Sequence, residues 1–213
     1  MNWFTQTLGS SIGKKLLMAL TGFCFIGFLT VHLAGNLTVY GGANAFNSYS
    51  EHLHALGPLV TVAEWGLLAL ALIHVLIGST LFYQNISARP VRYKVSKRAG
   101  GRTIGSATMP YTGFLLLAFV ILHLMNFHFV DKTDTTTFQI VSHTFGSPIY
   151  IGIYIAAMIV VAVHVSHGLW SAFQTLGVNH PKYMPFIMGL GVTVSVIFGI
   201  GFGFLPIYIS LIA

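Results

Sequence analysis

Charge is scarce in this chain. Only 7% of its 213 residues are charged, with ten Lys or Arg against four Asp or Glu, whereas soluble domains carry about 25%. At 55% apolar residues and a mean hydropathy of +0.80, a soluble globular domain is excluded and an integral membrane protein is expected. Cysteine is nearly absent too. The single Cys24 lies in an apolar run, so there is neither a disulfide framework, nor a thiolate metal site, nor the C-x-x-C-H sequence that attaches a haem covalently. The start, MNWFTQTLGSSIGKK, leads into an apolar stretch too long for a signal-peptide core and followed by no small-residue cleavage site, which reads as a permanent span.

What the chain has in quantity is long apolar runs. A helix crossing about 30 Å of hydrocarbon needs about 20 mostly apolar residues, and five such runs occur, near Leu16–Tyr40, Leu59–Tyr83, Met109–Val130, Ile149–Phe173 and Met184–Ile212. The expected fold is an all-α bundle of five transmembrane helices in one domain, 1–213. Between the runs lie GGANAFNSYSEHLHALGP, QNISARPVRYKVSKRAGGRTIGSA, DKTDTTTFQIVSHTFGSP and QTLGVNHPKYM, each with the Gly, Pro, Asn or charge that punctuates helices. Lys14, Lys15, Arg89, Arg92, Lys94, Lys97, Arg98, Arg102 and Lys182 all fall on one side; the other holds Lys132 against Glu51, Asp131 and Asp134. The positive-inside rule places the N-terminus and the basic loop in the cytoplasm and the C-terminus outside. That loop reads as a topology signal in contact with anionic lipid, or as a dock for a soluble partner as well; no nucleic-acid partner is implied.

Ten histidines are present. His52, His54, His143 and His180 lie in connections or at helix ends, and His128 is close to the outer end of the third span. His32, His74, His123 and His164 sit deep, one in each of the first four spans, where an imidazole is costly and marks a functional site by default. With the run midpoints as bilayer centre and a rise of 1.5 Å per residue, His32 and His123 lie about 5 Å toward the outside, and His74 and His164 about 5 Å toward the cytoplasm. A lone buried histidine most simply packs two helices together. Four in two layers of two suit two metal-centred cofactors, each held by axial imidazoles from different helices, with no open iron site and hence an electron-transfer role. A compact Zn²⁺ site, with its ligands about 2 Å from one centre, does not suit two separated layers. Gly78 and Gly168 each follow an inner-layer histidine by one turn on the same face, leaving room for a flat macrocycle. In VAVHVSHGLW the depth match with His74 favours His164 over His167 as the ligand, with His167, about 60° round the helix, bonding a haem propionate, a water or a neighbouring helix.

Respiratory cytochromes b with two ligands on each of two helices, thirteen or fourteen residues apart, do not match. Only His167 and His180 have that spacing, and His180 is in the loop GVNHPKYM. The pattern instead resembles the single-chain, two-haem cytochrome b anchor of succinate:quinone oxidoreductases, the succinate dehydrogenases and fumarate reductases, along the whole chain. TVHLAGNL, LIHVLIGS and ILHLMNFH carry three histidines of that pattern, and HVSHGLWSAFQTLG carries the fourth, followed by Gly168, Leu169 and Trp170. The resemblance implies that His164 is the ligand and His167 is not. It pairs His74 with His164 at an inner haem b and His32 with His123 at an outer one. It also implies a menaquinone or ubiquinone substrate, a flavoprotein and an iron–sulfur partner on the cytoplasmic face, and a bacterial or archaeal cytoplasmic membrane. Neither partner is encoded here, since the chain has no G-x-G-x-x-G strand–helix unit and no cysteine cluster.

Quinone chemistry moves protons, so an acid or base near the membrane edge is expected. Glu64 is the only carboxylate within an apolar run, which makes it the catalytic candidate; Glu51, His54 and Tyr40 are alternatives from the outer connection. A glutamate that some family members place two residues before the fourth ligand is Ala162 here, so no proton path is carried over. The fifth span, without histidine, reads as a flank or a contact in an oligomer of the whole complex. Two other readings compete: a cytochrome b anchor of another dehydrogenase or a hydrogenase, and a transporter whose histidines relay protons or bind a transition metal.

Overall fold

The computed structural model describes residues 2–88 and 103–213. The six basic residues Arg89, Arg92, Lys94, Lys97, Arg98 and Arg102 lie outside them. Among the described residues there are helices and no strand. Helix α1 (Trp3–Gly9) leads to α2 (Ser11–Asn36), which runs on through a 3₁₀ turn (Leu37–Gly41); α3 (Ala43–Ala55), α4 (Pro58–Ser87), α5 (Ile104–Phe127), α6 (Thr137–Phe145), α7 (Pro148–Thr175) and α8 (Met184–Ile212) follow. Among the described residues five helices are long and apolar enough to cross a membrane: Ser11–Gly41, Pro58–Ser87, Ile104–Phe127, Pro148–Thr175 and Met184–Ile212. The chain is an integral, multi-pass membrane protein.

The last span agrees with the sequence expectation at both ends, and the third is displaced. Its helix starts at Ile104 rather than Met109, because the Thr103 hydroxyl caps it by accepting from the Ser106 N–H at 3.0 Å; such a cap offsets the polar first turn that hydropathy alone rejects. It ends at Phe127, with His128 as C-cap, so Phe129 and Val130 lie past it.

The four histidine-bearing spans close a ring in which α2 packs on α4, α4 on α5, α5 on α7 and α7 on α2. Diagonal partners, α2 with α5 and α4 with α7, do not pack as neighbours, so the ring has an axis that all four helices face. The α4–α5 side is the loosest of the four, and α4 has no fully buried residue among those described. Its Leu59, Val62, Trp65, Leu68, Leu72 and Leu76 face outward, as lipid requires. Helix α8 flanks the ring on α7 and α2, where Leu33, Ala157, Met158, Val161, Val165 and Phe198 form one core.

Two short helices, α3 and α6, occupy connections expected to be loops. They close over the ends of α7 and α8 on the side away from the N-terminus, around Val39, Phe46, Val141, Phe145, Tyr154, Leu205 and Ile209. Side chains join them: Ser50 Oγ is 2.7 Å from Thr137 Oγ1, and Asn47 Oδ1 accepts from the Phe138 N–H at 2.9 Å. Gly42 (φ 90°) and Gly57 (φ 54°) turn the chain into and out of α3, conformations costly for any residue with a Cβ.

Candidate functional site

The four deep histidines meet across the diagonals of the ring. His32 of α2 and His123 of α5 have ring centroids 5.9 Å apart at 86°. His74 of α4 and His164 of α7 stand on the other diagonal. With the observed helix ends, His32 and His123 lie about 11 to 13 Å past their helix midpoints and His74 and His164 about 2 to 4 Å past theirs. The first pair is therefore nearer the far end, and the second nearer the centre, than the sequence expectation of about 5 Å for both.

Each central histidine is held by a threonine of the neighbouring helix. His74 Nδ1 is 2.8 Å from Thr21 Oγ1 on α2, and the Thr21 hydroxyl donates to the Leu17 carbonyl one turn back at 2.8 Å. His164 Nδ1 is 3.0 Å from Thr112 Oγ1 on α5, whose hydroxyl donates to the Met109 carbonyl at 3.0 Å. Both threonines are buried. The distal pair is set differently, in aromatic surroundings. His32 stacks on Phe28 at 5.2 Å and meets Phe202 at 5.6 Å, with the Asn36 amide 3.5 Å from its Nε2. His123 lies against Phe119, Phe127 and Tyr154, and its buried Nδ1 has no partner among the described residues.

His167 contacts the neighbouring helix α5. Its Nδ1 is 3.3 Å from Thr103 Oγ1 at the cap of α5, and its ring meets Trp170 edge-on at 4.7 Å. It lines a hollow of about 240 Å³ between α5, α7 and α8 with Thr103, Ser166, Trp170 and Met188. Gly105 permits this approach, since a Cβ there would stand 2.6 Å from that of His167.

Glu64 is nearly half exposed, and its Oε1 lies 3.8 Å from His128 Nδ1 at the far end of the α4–α5 side. Nothing in the spacing of these two residues signals that pairing. Glu51 and His54 line a separate polar hollow of about 310 Å³ with Asn47, Ser50, Lys132 and Thr136, and Tyr40 packs on Tyr208 of α8 at 4.5 Å. The alternatives to Glu64 thus stand in other contacts.

Thr21 and Thr112 escaped the sequence reading, although a signal was there. MALTGF (18–23) and MPYTGF (109–114) share M-x-x-T-G-F, with His32 and His123 each eleven residues after the threonine; HVLIG (74–78) and HVSHG (164–168) share H-V-x-x-G. The α2–α4 half and the α5–α7 half repeat one another. Equivalent histidines are the ones that face each other.

Bis-imidazole haem is the cofactor to test against these residues. The donor set fits: two imidazole pairs, each on diagonal helices, and a buried His123 Nδ1 without a partner among the described residues. Gly78 and Gly168 fit too, because a Cβ at either would meet only the flexible tip of a methionine, Met18 at 3.5 Å and Met109 at 4.0 Å. A single compact metal site does not fit, since no three His, Cys, Asp or Glu side chains converge among the described residues.

Similarity to a known protein extends over most of the chain. The chain is 27% identical to the succinate dehydrogenase cytochrome b558 subunit of Bacillus subtilis. The match extends over 171 residues, 78% of this chain and 80% of that protein. No family model matches the chain, and neither does any solved structure.

Proposed function

We propose that the chain, acting as one unit over 1–213, is the membrane-anchor cytochrome b subunit of a succinate dehydrogenase or fumarate reductase complex with two haems b. The observation that carries this is the pairing of repeat-equivalent histidines across the ring diagonals in two layers; the similarity to the Bacillus subtilis subunit supports it. His74 and His164 hold the haem nearer the N-terminal side, and His32 and His123 the one nearer the far end. When bound, a bis-histidine haem supplies a one-electron couple with no open coordination position. The protein side chains provide the ligands, keep the two sites apart along the ring axis and screen them from water with phenylalanines. Helix α8 covers the α2–α7 side.

The N-terminus faces the cytoplasm, as the basic residues direct, and a flavoprotein and an iron–sulfur subunit dock there. Electrons pass between the iron–sulfur partner and menaquinone or ubiquinone in the cytoplasmic membrane of a bacterium or archaeon. Glu64, paired with His128 at the far end of the loose α4–α5 side, exchanges the quinone protons. A glutamate and a histidine within reach of each other and of solvent can pass a proton without burying a charge.

The test is a pyridine haemochrome assay on the full chain purified gently with its partners. Two non-covalent haems per chain are expected. One haem removes the two-layer arrangement, and none removes the cytochrome reading in favour of a histidine-bearing transporter. Copurification of a hydrogenase or formate dehydrogenase in place of a flavoprotein and an iron–sulfur subunit reassigns the complex.

A further inference from the structure

The repeated halves of the ring carry the same hydrogen bond at the same place. Thr21 and Thr112 occupy one position of the M-x-x-T-G-F repeat, and each lies 2.8 to 3.0 Å from the Nδ1 of the H-V-x-x-G histidine on the adjoining helix. A threonine hydroxyl has one proton, and in both cases a carbonyl of its own helix lies in line to receive it, Leu17 at 2.8 Å and Met109 at 3.0 Å. What the oxygen then offers is a lone pair. A neutral imidazole carries its proton on one nitrogen and a lone pair on the other, so the nitrogen that meets this oxygen is the protonated one. The glycine after each threonine lies beside the ring: a Cβ at Gly22 or Gly113 would stand 3.9 or 3.7 Å from its Cε1, in ordinary contact.

We infer that Thr21 and Thr112 are positioning residues that hold His74 and His164 as the Nδ1–H tautomer, leaving a bare Nε2 on each ring before any metal arrives. Among the described residues the distal pair has no threonine at Nδ1. His123 Nδ1 is buried without a partner among the described residues, and the contact to His32 is the Asn36 amide at Nε2. The site nearer the N-terminal side is therefore the preorganised one. An imidazole whose second nitrogen donates a hydrogen bond is also the more basic ligand, which favours ferric iron. The consequence for haem rests on the proposed function; the tautomer itself does not.

Two measurements on the full-length chain test this. In haem-free chain in lipid, ¹⁵N NMR of the histidine rings is expected to show His74 and His164 as Nδ1–H; Thr21→Val and Thr112→Val release their own histidine to a mixture, and Thr→Ser at either position retains it. In haem-loaded chain, each valine variant is expected to weaken one haem site about 10-fold or more, the usual effect of removing a group that orients a metal-bound histidine. The reduction potential of that haem rises, the other is unmoved, and serine restores both properties. Nε2–H rings in the unaltered chain overturn the inference, as do valine variants whose haem sites both behave as in the parent. A chain that takes up no haem refutes the proposed function instead, and the tautomer measurement still decides this inference.

Discussion

Gly105 is where the α5–α7 contact is most sensitive to a single methyl group. It is buried, and the Cβ of Gly105→Ala would stand 2.6 Å from the His167 Cβ and 3.3 Å from the Val163 carbonyl oxygen. Carbon atoms rest about 3.5 to 4.0 Å apart, so α5 must retreat by about 1 Å. Neither neighbour can yield alone, since one is backbone and the other is fixed to it. Overpacking of this kind costs about 1 to 3 kcal/mol. The Thr103–His167 bond, already 3.3 Å long, breaks as well, a loss of about 1 kcal/mol that the better helix propensity of alanine roughly offsets. The net expectation is a destabilisation of about 2 kcal/mol, a factor of about 30 in the folding equilibrium. Gly66 and Gly152 are the controls, because a Cβ at either meets nothing within 4 Å, and alanine there is expected to stabilise by up to about 1 kcal/mol. Equilibrium unfolding of the three purified variants in mixed micelles reads the difference. A Gly105→Ala chain as stable as the parent would refute the close helix crossing and the contact it gives His167.

Other expectations concern the sites. His32→Ala and His74→Ala should each remove one haem and leave the other, read as halved haem per chain; loss of both haems from either variant would deny that the layers are separate. Glu64→Gln should lower quinone turnover about 100-fold or more, the scale of general acid–base catalysis, with the haem spectrum unchanged, whereas unaltered turnover would move proton exchange elsewhere. In the turn between α5 and α6, hydrogen bonds from the Thr133 hydroxyl and N–H hold the exposed Asp131 carboxyl below its ordinary range. The turn is thus favoured above the ordinary carboxylate value and loses that support as pH falls through the lowered one. An NMR titration should place Asp131 below 3.8, and Thr133→Ala should bring it back up.

Hydropathy made the five spans legible because lipid imposes length and composition together. It failed where polar residues fold into helix for local reasons. Helix α6 begins with a capping box, Thr136 and Gln139 each bonding the other's backbone, a sequence signature that a search for apolar runs passes over. Helix α3 is an amphipathic turn-bounded segment whose partners come from α6, ninety residues on. The histidine pairs were legible from depth, which the chain length between them encodes. The threonines were not, because one hydroxyl among apolar residues looks like neutral filler until the helix that receives it is known.

The repeat also explains why the deep histidines come in facing pairs. In a ring of two like halves, equivalent residues stand at equal depth on diagonal helices, so any histidine that both halves keep acquires a partner across the axis without further design. Positions where the halves differ mark where the two sides have been given separate tasks. In HVLIG and HVSHG the register is ninety residues, and carried back along α4 and α7 it sets Glu64 opposite Tyr154. Tyr154 is buried in the aromatic core and accepts from Asn126 at 3.1 Å, beneath the cover of α6 and α8. Glu64 faces His128 on the α4–α5 side, which no further helix covers among the described residues. A group that must trade protons with the medium can work only on the open side, which is why the proposed quinone chemistry belongs between α4 and α5 rather than at the equivalent corner of the other half.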